Sequence, residues 1–276
     1  MKLIKSSYKI IPQEAGLEGI YKAIERAGRT CYKSEDKITP TSAKEFVDRM
    51  IASGHGSMLE FGTVYLATNI GRSEAYYKHC CPIDTIMEDW EDNLFKYKSN
   101  KYSKYSTCII GDYLTAFVTT NYRVLVEKGW LDDLKYLCEP TEFHEKRICV
   151  RFNCSIGISR ELNRHRVDSI AEMSTRYCNF SKDKFGNELT FVIPSHLNEE
   201  ELKKYGPYHT VVRNKKSAES IFIANLNNAE KDYLDLIDSG WKAQQARYIL
   251  PLATATEVNH CASSIVTGKQ IGRAHV

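Results

Sequence analysis

Residues 155–180 read Ser-Ile-Gly-Ile-Ser-Arg-Glu-Leu-Asn-Arg-His-Arg-Val-Asp-Ser-Ile-Ala-Glu-Met-Ser-Thr-Arg-Tyr-Cys-Asn-Phe. The first half predicts a short helix that Ser159 can cap and that ends in Arg164-His165-Arg166. The second half alternates residue by residue, which is typical of an extended strand. We therefore predict a helix that passes into a strand, with cationic side chains at the junction.

Three polar side chains take part in this alternation. Glu172, Ser174 and Arg176 recur at every second residue, which in an extended backbone places a carboxylate, a hydroxyl and a guanidinium on one face. Such a face suits a flat, polar anion, because an arginine fork can bond two phosphate oxygens at once. Two plainer explanations stay open: the arginines could only complement the helix dipole, and the alternation could only mark a solvated strand face.

Patterns elsewhere in the chain predict an α+β fold. Strands and helices follow one another without regular alternation, and no glycine-rich dinucleotide fingerprint occurs. This argues against a Rossmann domain and for a mixed or antiparallel sheet with packed helices. Predicted strands cover 2–10, 63–68, 113–119 and 146–153, and predicted helices cover 17–27, a segment capped by Ser42, 122–128 and 217–239.

Domain organisation follows from the same patterns. Residues 71–106 are polar, rich in Tyr and Lys, and weakly periodic, so we expect an insertion there and not a core element. The sequence shows no internal repeat and no linker. We therefore expect a single domain over residues 1–269.

Charge and composition exclude several classes of protein. The formal net charge of +3 is small and spread along the chain, so we expect no nucleic-acid partner. No apolar run has membrane-spanning length and no signal peptide is present, so we expect a cytoplasmic protein without a membrane partner. Nine cysteines without a Cys-x-x-Cys pair indicate reduced thiols. Adjacent His79-Cys80-Cys81 are poorly placed to share a tetrahedral ion, so we predict no metal site.

Four separated motifs carry a resemblance to a known family. They are Arg29-Thr30-Cys31-Tyr32, then Gly54-His55-Gly56-Ser57 with Glu60, then Arg164-His165-Arg166 with Ser174-Thr175-Arg176-Tyr177 seven residues later, and Gln245-Ala246-Arg247-Tyr248-Ile249-Leu250-Pro251. In order and spacing they resemble the flavin-dependent thymidylate synthases, also called thymidylate synthase complementing proteins. The resemblance covers most of the chain.

The resemblance implies a role for each matching residue. Contacts to FAD are implied for His55, Ser57, Arg164, His165, Arg166 and Glu172. Contacts to deoxyuridylate (dUMP) are implied for Glu161, Arg164, Glu172, Ser174, Arg176 and Arg247. We interpret Ser174 as a ligand contact and not as a nucleophile, because no His or Lys base is assigned to it. His55 could still be a plain loop histidine, and Arg247 a plain helix-end arginine.

The implied reaction methylates dUMP to thymidylate (dTMP). Methylenetetrahydrofolate is the carbon donor, and FAD reduced by NADPH is the hydride source. The family forms homotetramers with FAD at the interfaces and needs no cysteine nucleophile. We expect the cationic helix end and the strip after it to close around one flavin and one nucleotide phosphate.

The C-terminal end departs from the family pattern. The family continues past Pro251 to an arginine that helps ionise the uracil ring, and this character is lost here after Ala262, so we assign no catalytic residue. Arg273 is not accepted in that role, because one back-translation of residues 271–276 resembles the start of a common sequencing adapter. We expect residues 270–276 to be artefactual, and the truncated chain to be inactive and poorly stable.

Two other functions stay open. The Arg-rich segment and the Tyr/Lys-rich residues 97–105 could form a nucleotide- or RNA-binding module, because aromatic rings beside basic groups can stack bases. The near-neutral net charge argues against that module. The other alternative is an inactive truncated relative that keeps its nucleotide affinity.

Overall fold

The computed structural model describes residues 1–72, 92–165, 168–198, 200, 202 and 217–263. Its strands are β1 (Lys2–Ile4), β2 (Ser7–Ile10), β3 (Thr63–Arg72), β4 (Lys104–Ile110), β5 (Tyr113–Asn121), β6 (Arg147–Ser155), β7 (Ser169–Glu172), β8 (Thr190–Val192) and β9 (Ala255–Ser263). Its α-helices are α1 (Gly16–Tyr32), α2 (Ser42–Ala52), α3 (Gly56–Leu59), α4 (Tyr122–Lys128), α5 (Ile156–Leu162), α6 (Ala218–Asp238) and α7 (Ala243–Ala246). Short 3-10 helices cover Glu35–Lys37, Phe95–Ser99, Leu131–Tyr136, Asp183–Phe185 and Arg247–Ile249.

The strands form three sheets, and the central one positions the site. Its four antiparallel strands lie in the order β2-β6-β9-β7. The other sheets are the antiparallel β3-β5-β4 and the parallel pair β1-β8. The predicted α+β class with a mixed or antiparallel sheet is confirmed, and a Rossmann fold is not indicated. Within the described ranges, no helix is long and apolar enough to cross a membrane.

The two largest hydrophobic clusters of the described residues hold these layers together. The first lies between the three-stranded sheet and helices α1, α2 and α4, where Ile24, Leu66 and Leu125 are fully buried. The second joins α6 to β8 and to the turn after β7 through Phe191 and Tyr233. Full burial of each large apolar side chain stabilises the fold by roughly 1.5–3 kcal/mol.

Helix α1 is longer than the predicted 17–27 segment, and the extra turn reaches the site. Glu25 is buried, and its carboxylate accepts a hydrogen bond from Arg29 at 2.9 Å, so the pair extends the helix one turn past its apolar stripe. The helix ends at Lys33, which adopts a left-handed conformation with φ 50°. This last turn places Cys31 and Tyr32 beside the cleft described below.

The structure corrects the predicted strand 2–10. The chain pairs with β8 through β1 and then changes sheet, so that β2 pairs with β6. Alternation along the sequence cannot reveal such a change of partner, because both segments have a strand-like pattern.

The structure also corrects part of the expectation for residues 71–106. Residues 73–91 and the motif His79-Cys80-Cys81 lie outside the described residues. Leu94 and Tyr97, by contrast, are fully buried members of the first core, and β4 begins at Lys104. The Tyr97 hydroxyl donates to Asp133 at 2.7 Å. Because the Tyr97 ring is fully buried, it offers no stacking surface for a nucleic-acid base.

Three local predictions in residues 155–180 are wrong. Ser155, and not Ser159, caps α5, because β6 ends there in an extended conformation and the Ser155 hydroxyl accepts from the Ile158 amide at 3.3 Å. The helix ends at Leu162, before the Arg-His-Arg motif. The extended strip ends at Ser174, whose carbonyl accepts from the Cys178 amide at 2.9 Å in a turn. Arg176 therefore lies in that turn and not on a strand face.

Candidate functional site

A cleft of about 850 Å³ lies between the end of α1, helix α5 and the segment after β7. The loop before α3 and the 3-10 helix Arg247–Ile249 complete its walls. Six residues singled out by the sequence line this one cleft: His55, Ser57, Glu172, Ser174, Arg176 and Arg247. The chain brings them together from three separate regions of the sequence.

Backbone hydrogen bonds hold the segment after β7 at the bottom of the cleft. The amide of Ser174 donates to the carbonyl of Cys31 at 2.9 Å, and the amide of Met173 donates to the carbonyl of Glu257 at 2.9 Å. The Ser174 hydroxyl accepts from the Arg176 amide at 3.3 Å. The segment is therefore suspended between α1 and β9, and the turn directs Arg176 into the cleft.

Glu172 is the one carboxylate among the described cleft-lining residues, and three neutral groups fix it. Oε1 accepts from the Ser159 hydroxyl at 2.6 Å and from the Thr256 hydroxyl at 3.1 Å. Oε2 accepts from the Asn163 amide group at 3.2 Å. A carboxylate held by several donors keeps one orientation, which suits a group that must contact a ligand in a defined place.

The cleft is cationic apart from this carboxylate. Arg160, Arg176 and Arg247 line it and form no ion pair with any described residue. An arginine that has no carboxylate partner keeps its donors available for a phosphate. Arg160 is not among the residues predicted from the sequence, because its only signal is its place next to Glu161 in an arginine-rich stretch.

Tyrosine rings form the rim of the cleft. The rings of Tyr32 and Tyr177 lie 5.2 Å apart, and the guanidinium of Arg176 lies 5.3 Å from the centre of the Tyr177 ring. Tyr248 is 84% exposed, with the Arg247 guanidinium 5.8 Å from its ring centre. Exposed rings at a cleft edge can stack on a planar ligand, and arginines above them keep the rings oriented.

The thiol in this cleft is not poised for nucleophilic attack. Burial, with smaller contributions from nearby Cys178 and Glu172, raises the pKa of Cys31 from 9.0 to about 11. The thiol is therefore protonated near neutral pH, and the thiolate is the nucleophilic form. No group of three or more potential metal ligands occurs in the described ranges.

Three other predicted residues that the structure describes do not line the cleft of their own chain. Glu161 and Arg164 are exposed and form a loose ion pair at 4.0 Å. His165 packs its ring against His260, with 6.3 Å between ring centres. Arg166 lies outside the described residues. The expected closure of the Arg-His-Arg motif and the following strip around one cleft is therefore not observed within a single chain.

Local contacts explain where the motif lies. The amide of His165 donates to the carbonyl of Leu162, so the chain turns as soon as α5 ends. Asp168 and His260 are both buried, with 3.0 Å between Asp168 Oδ2 and His260 Nε2. This contact ties the segment to β9, on the central sheet. A pattern read along the sequence cannot detect this tether, because 91 positions separate its two residues.

Known proteins resemble this chain only distantly over its full length. No curated protein matches it. Two solved structures of the UMP/dUMP methylase PolB from Streptomyces cacaoi, bound with 5-Br dUMP and with 5-Br UMP, match at 14% and 13% identity, each with a TM-score of 0.34. Both matches cover 96% of this chain, with 76% and 74% of the PolB chains covered respectively. Likeness this distant supports no conclusion about function.

A family model gives the decisive match. The model of the thymidylate synthase complementing proteins matches residues 120–263, more than half of the chain. The matched region includes β6, α5, the Arg-His-Arg motif, the segment at the bottom of the cleft and Arg247. The chain therefore belongs to the thymidylate synthase complementing protein family.

Proposed function

We propose that this protein methylates dUMP to dTMP, with methylenetetrahydrofolate as carbon donor and FAD, reduced by NADPH, as hydride source. One observation carries the proposal: six residues implied by the family resemblance, from three regions of the sequence, line a single cationic cleft. A cleft of about 850 Å³ lies within the size range of sites for small molecules and cofactors.

The cleft offers groups that suit each part of a nucleotide. Arg176 and Arg247 are assigned to the phosphate, because both guanidinium groups lack a carboxylate partner among the described residues. Ser174 is assigned to the nucleotide as a hydroxyl contact. Glu172 is assigned a place between the nucleotide and the cofactor, and its three hydrogen bonds would keep its acceptors aimed at the ligand.

The residues on the opposite wall fit a flavin. His55 and Ser57 line the cleft from the α3 side, and the tyrosine rim offers planar surfaces. The flavin supplies the hydride when bound, and the protein supplies binding and orientation. The His55 ring nitrogen Nδ1 lies 3.1 Å from the Ser53 hydroxyl, a hydrogen bond that holds the imidazole in place.

A second copy of the chain is needed to bring four further residues into the proposed site: Glu161, Arg164, His165 and Arg166. Arg164 is 80% exposed in the single chain and does not line its cleft. In the homotetramer that the resemblance implies, such an arginine would reach the site of a neighbouring subunit and contact its FAD. A single domain over residues 1–269 is part of the same proposal.

Variants of Arg176 test the nucleotide assignment. Arg176→Ala removes a charge-assisted hydrogen bond worth about 1.5–3 kcal/mol, so we expect dUMP to bind roughly 10–100-fold more weakly by isothermal titration calorimetry. Arg176→Lys should recover part of this loss, because it keeps the charge but not the fork. Deoxyuridine, which has no phosphate, should bind wild type and variant alike. Equal losses for both ligands would contradict the phosphate assignment.

The reaction itself has a direct readout. Methylation replaces the hydrogen at C5 of the uracil ring, so tritium at that position should be released to water. Release should require both methylenetetrahydrofolate and NADPH, and the purified protein should carry the yellow absorbance of a flavin. A colourless protein that releases no tritium and does not bind dUMP would overturn the proposal.

A further inference from the structure

Cys149 and Cys261 lie directly opposite each other in the middle of the central sheet. Cys149 belongs to β6 and Cys261 to β9, and the antiparallel register pairs the two residues. Neither residue is among those that line the candidate nucleotide cleft. The two thiols therefore call for an explanation separate from the proposed reaction.

The backbone hydrogen bonds show which kind of cross-strand pair this is. The Cys149 carbonyl accepts from the Ile11 amide at 2.8 Å, so its polar backbone groups face β2 and not β9. On the other side, the Ile156 amide donates to the Thr254 carbonyl at 2.9 Å, which makes that pair a hydrogen-bonded one. Pair types alternate along an antiparallel ladder, and residue 149 lies an odd number of positions from Ile156. Cys149 and Cys261 therefore form a non-hydrogen-bonded pair, in which Cα atoms are about 4.5 Å apart and side chains are closest.

The thiols are in contact in the fold. Both pack in one buried cluster, and the interaction between them raises the pKa of Cys149 and lowers the pKa of Cys261 to about 6. The guanidinium of Arg147 contributes to the lowered pKa of Cys261 and opposes part of the rise at Cys149. A thiol with a lowered pKa supplies the thiolate that sulfur exchange requires.

A small molecule can approach this pair from one side. A cavity of about 150 Å³ is lined by both cysteines, with Arg26 and Arg147 at its wall. Cys261 is only 1% exposed, whereas Cys149 is partly exposed. Cys154 differs from the pair, because it is buried and no described thiol forms a hydrogen bond with it.

The geometry points to a modification site: Cys149 and Cys261 form a dithiol that a peroxide oxidises reversibly to a disulfide. The Cys261 thiolate first takes the proton of the more accessible Cys149, and the Cys149 thiolate attacks one peroxide oxygen. The O–O bond breaks, and the departing hydroxide takes the proton back from Cys261 and leaves as water. The Cys261 thiolate then attacks the sulfur of the resulting sulfenic acid, the S–S bond forms and hydroxide leaves. One thiol and one thiolate are oxidised together, and one hydrogen peroxide is reduced to one water and one hydroxide.

The disulfide would tie together the two central strands that support the cleft. The thiol pair packs with Cys31 and Met58, which also line the cleft. Closing the bond links residues far apart in the sequence, which restricts the unfolded chain, so we expect the melting temperature to rise by roughly 5 °C. Dithiothreitol should reverse the rise.

Peptide mapping of the wild-type protein tests the site without any variant. The folded protein is treated with hydrogen peroxide, denatured, alkylated and digested with trypsin. The expected product is peptide 148–151 joined to peptide 248–269, with a mass lower by two hydrogens than the two free peptides together. Peptide 152–160, which contains Cys154, should carry the alkyl group in the same digest. The joined peptide should be absent after Cys149→Ser or Cys261→Ser, and after dithiothreitol.

Other outcomes overturn the proposal. If peroxide converts the partly exposed Met50 and Met58 to sulfoxides while both cysteines are still fully alkylated, the pair is not an oxidisable dithiol. If Cys149 or Cys261 is joined to a third cysteine, the cross-strand assignment is wrong. If the joined peptide forms equally in denatured protein, the folded geometry does not direct the reaction.

Discussion

Replacing Ser159 by alanine removes the shortest hydrogen bond to the cleft carboxylate. Ser159 is fully buried on α5, and its hydroxyl donates to Glu172 at 2.6 Å. Glu172 keeps its donors Thr256 and Asn163, at 3.1 Å and 3.2 Å. A hydrogen bond to a charged group contributes about 1.5–3 kcal/mol, and water can replace part of it because Glu172 is only partly buried. We expect the free energy of unfolding to fall by about 1–1.5 kcal/mol.

The same change should weaken nucleotide binding. Glu172 loses its best anchor and populates orientations that do not face the ligand, at a cost of about 1–1.4 kcal/mol. We therefore expect the dissociation constant for dUMP, measured by isothermal titration calorimetry, to rise roughly 5–10-fold.

Ser155→Ala is the matched control for Ser159→Ala. Ser155 caps the same helix, and loss of a cap costs about 1 kcal/mol, but it has no hydrogen bond to Glu172. Both variants should lose similar stability in urea, and only Ser159→Ala should lose dUMP affinity. If the two variants lose affinity equally, or neither does, the reasoning about Glu172 is refuted.

Two further predictions concern stability. Tyr97→Phe leaves buried Asp133 without its 2.7 Å hydroxyl donor, so the free energy of unfolding should fall by about 2–3 kcal/mol in urea titrations. Tyr102→Phe, at a 49% exposed ring, should change it little, and equal effects would contradict the core position of Tyr97. The pKa of Cys31 is raised to about 11, mainly by burial, so the folded state favours the protonated thiol. The contribution of this thiol to the free energy of unfolding is therefore present below about pH 9 and is lost as pH rises from about 9 to about 11. Wild type should lose roughly 2 kcal/mol more than Cys31→Ala over this window, and parallel pH profiles would contradict the shift.

The elements that the sequence predicted well depend on local signals. Helix α4 was predicted at residues 122–128 and spans them in the structure, because the Asn121 side chain accepts from the Val124 amide and Gly129 adopts φ 69° at the other end. Ser217 likewise caps α6 within one residue of the predicted start. Both signals lie within a few residues of the element that they end or begin.

The predictions that failed depend on partners distant in the sequence. The break between β1 and β2 reflects two different neighbouring strands, β8 and β6. Leu94 and Tyr97 are core residues because they pack with residues of strands and helices that precede and follow them in the sequence. Neither fact is encoded in local periodicity, which measures the polarity of a segment and not the identity of its neighbour.

The same division between local signals and distant partners applies to the residues of the cleft. The motifs identified six of the residues that line it, because each motif is short and contiguous. The contribution of Ser159 and Arg160 was missed, since only the packing of α5 against the segment after β7 brings them to Glu172 and the cleft. The position of Arg164 was also not predictable, because it depends on how the chain turns after Leu162.

The suspension of Ser174 between α1 and β9 has a consequence for how the cleft arises during folding. Its amide is held by Cys31, which lies 143 positions earlier in the chain, and the neighbouring Met173 amide is held by Glu257, which lies 84 positions later. Contacts with such wide sequence separation form only after the intervening chain has been brought together. A fragment restricted to residues 120–263, the region of the family match, would lack the Cys31 carbonyl as well as His55 and Ser57. Such a fragment could retain the central strands, yet it would have no means of holding the nucleotide segment in shape, so ligand affinity should appear only when the whole chain has folded.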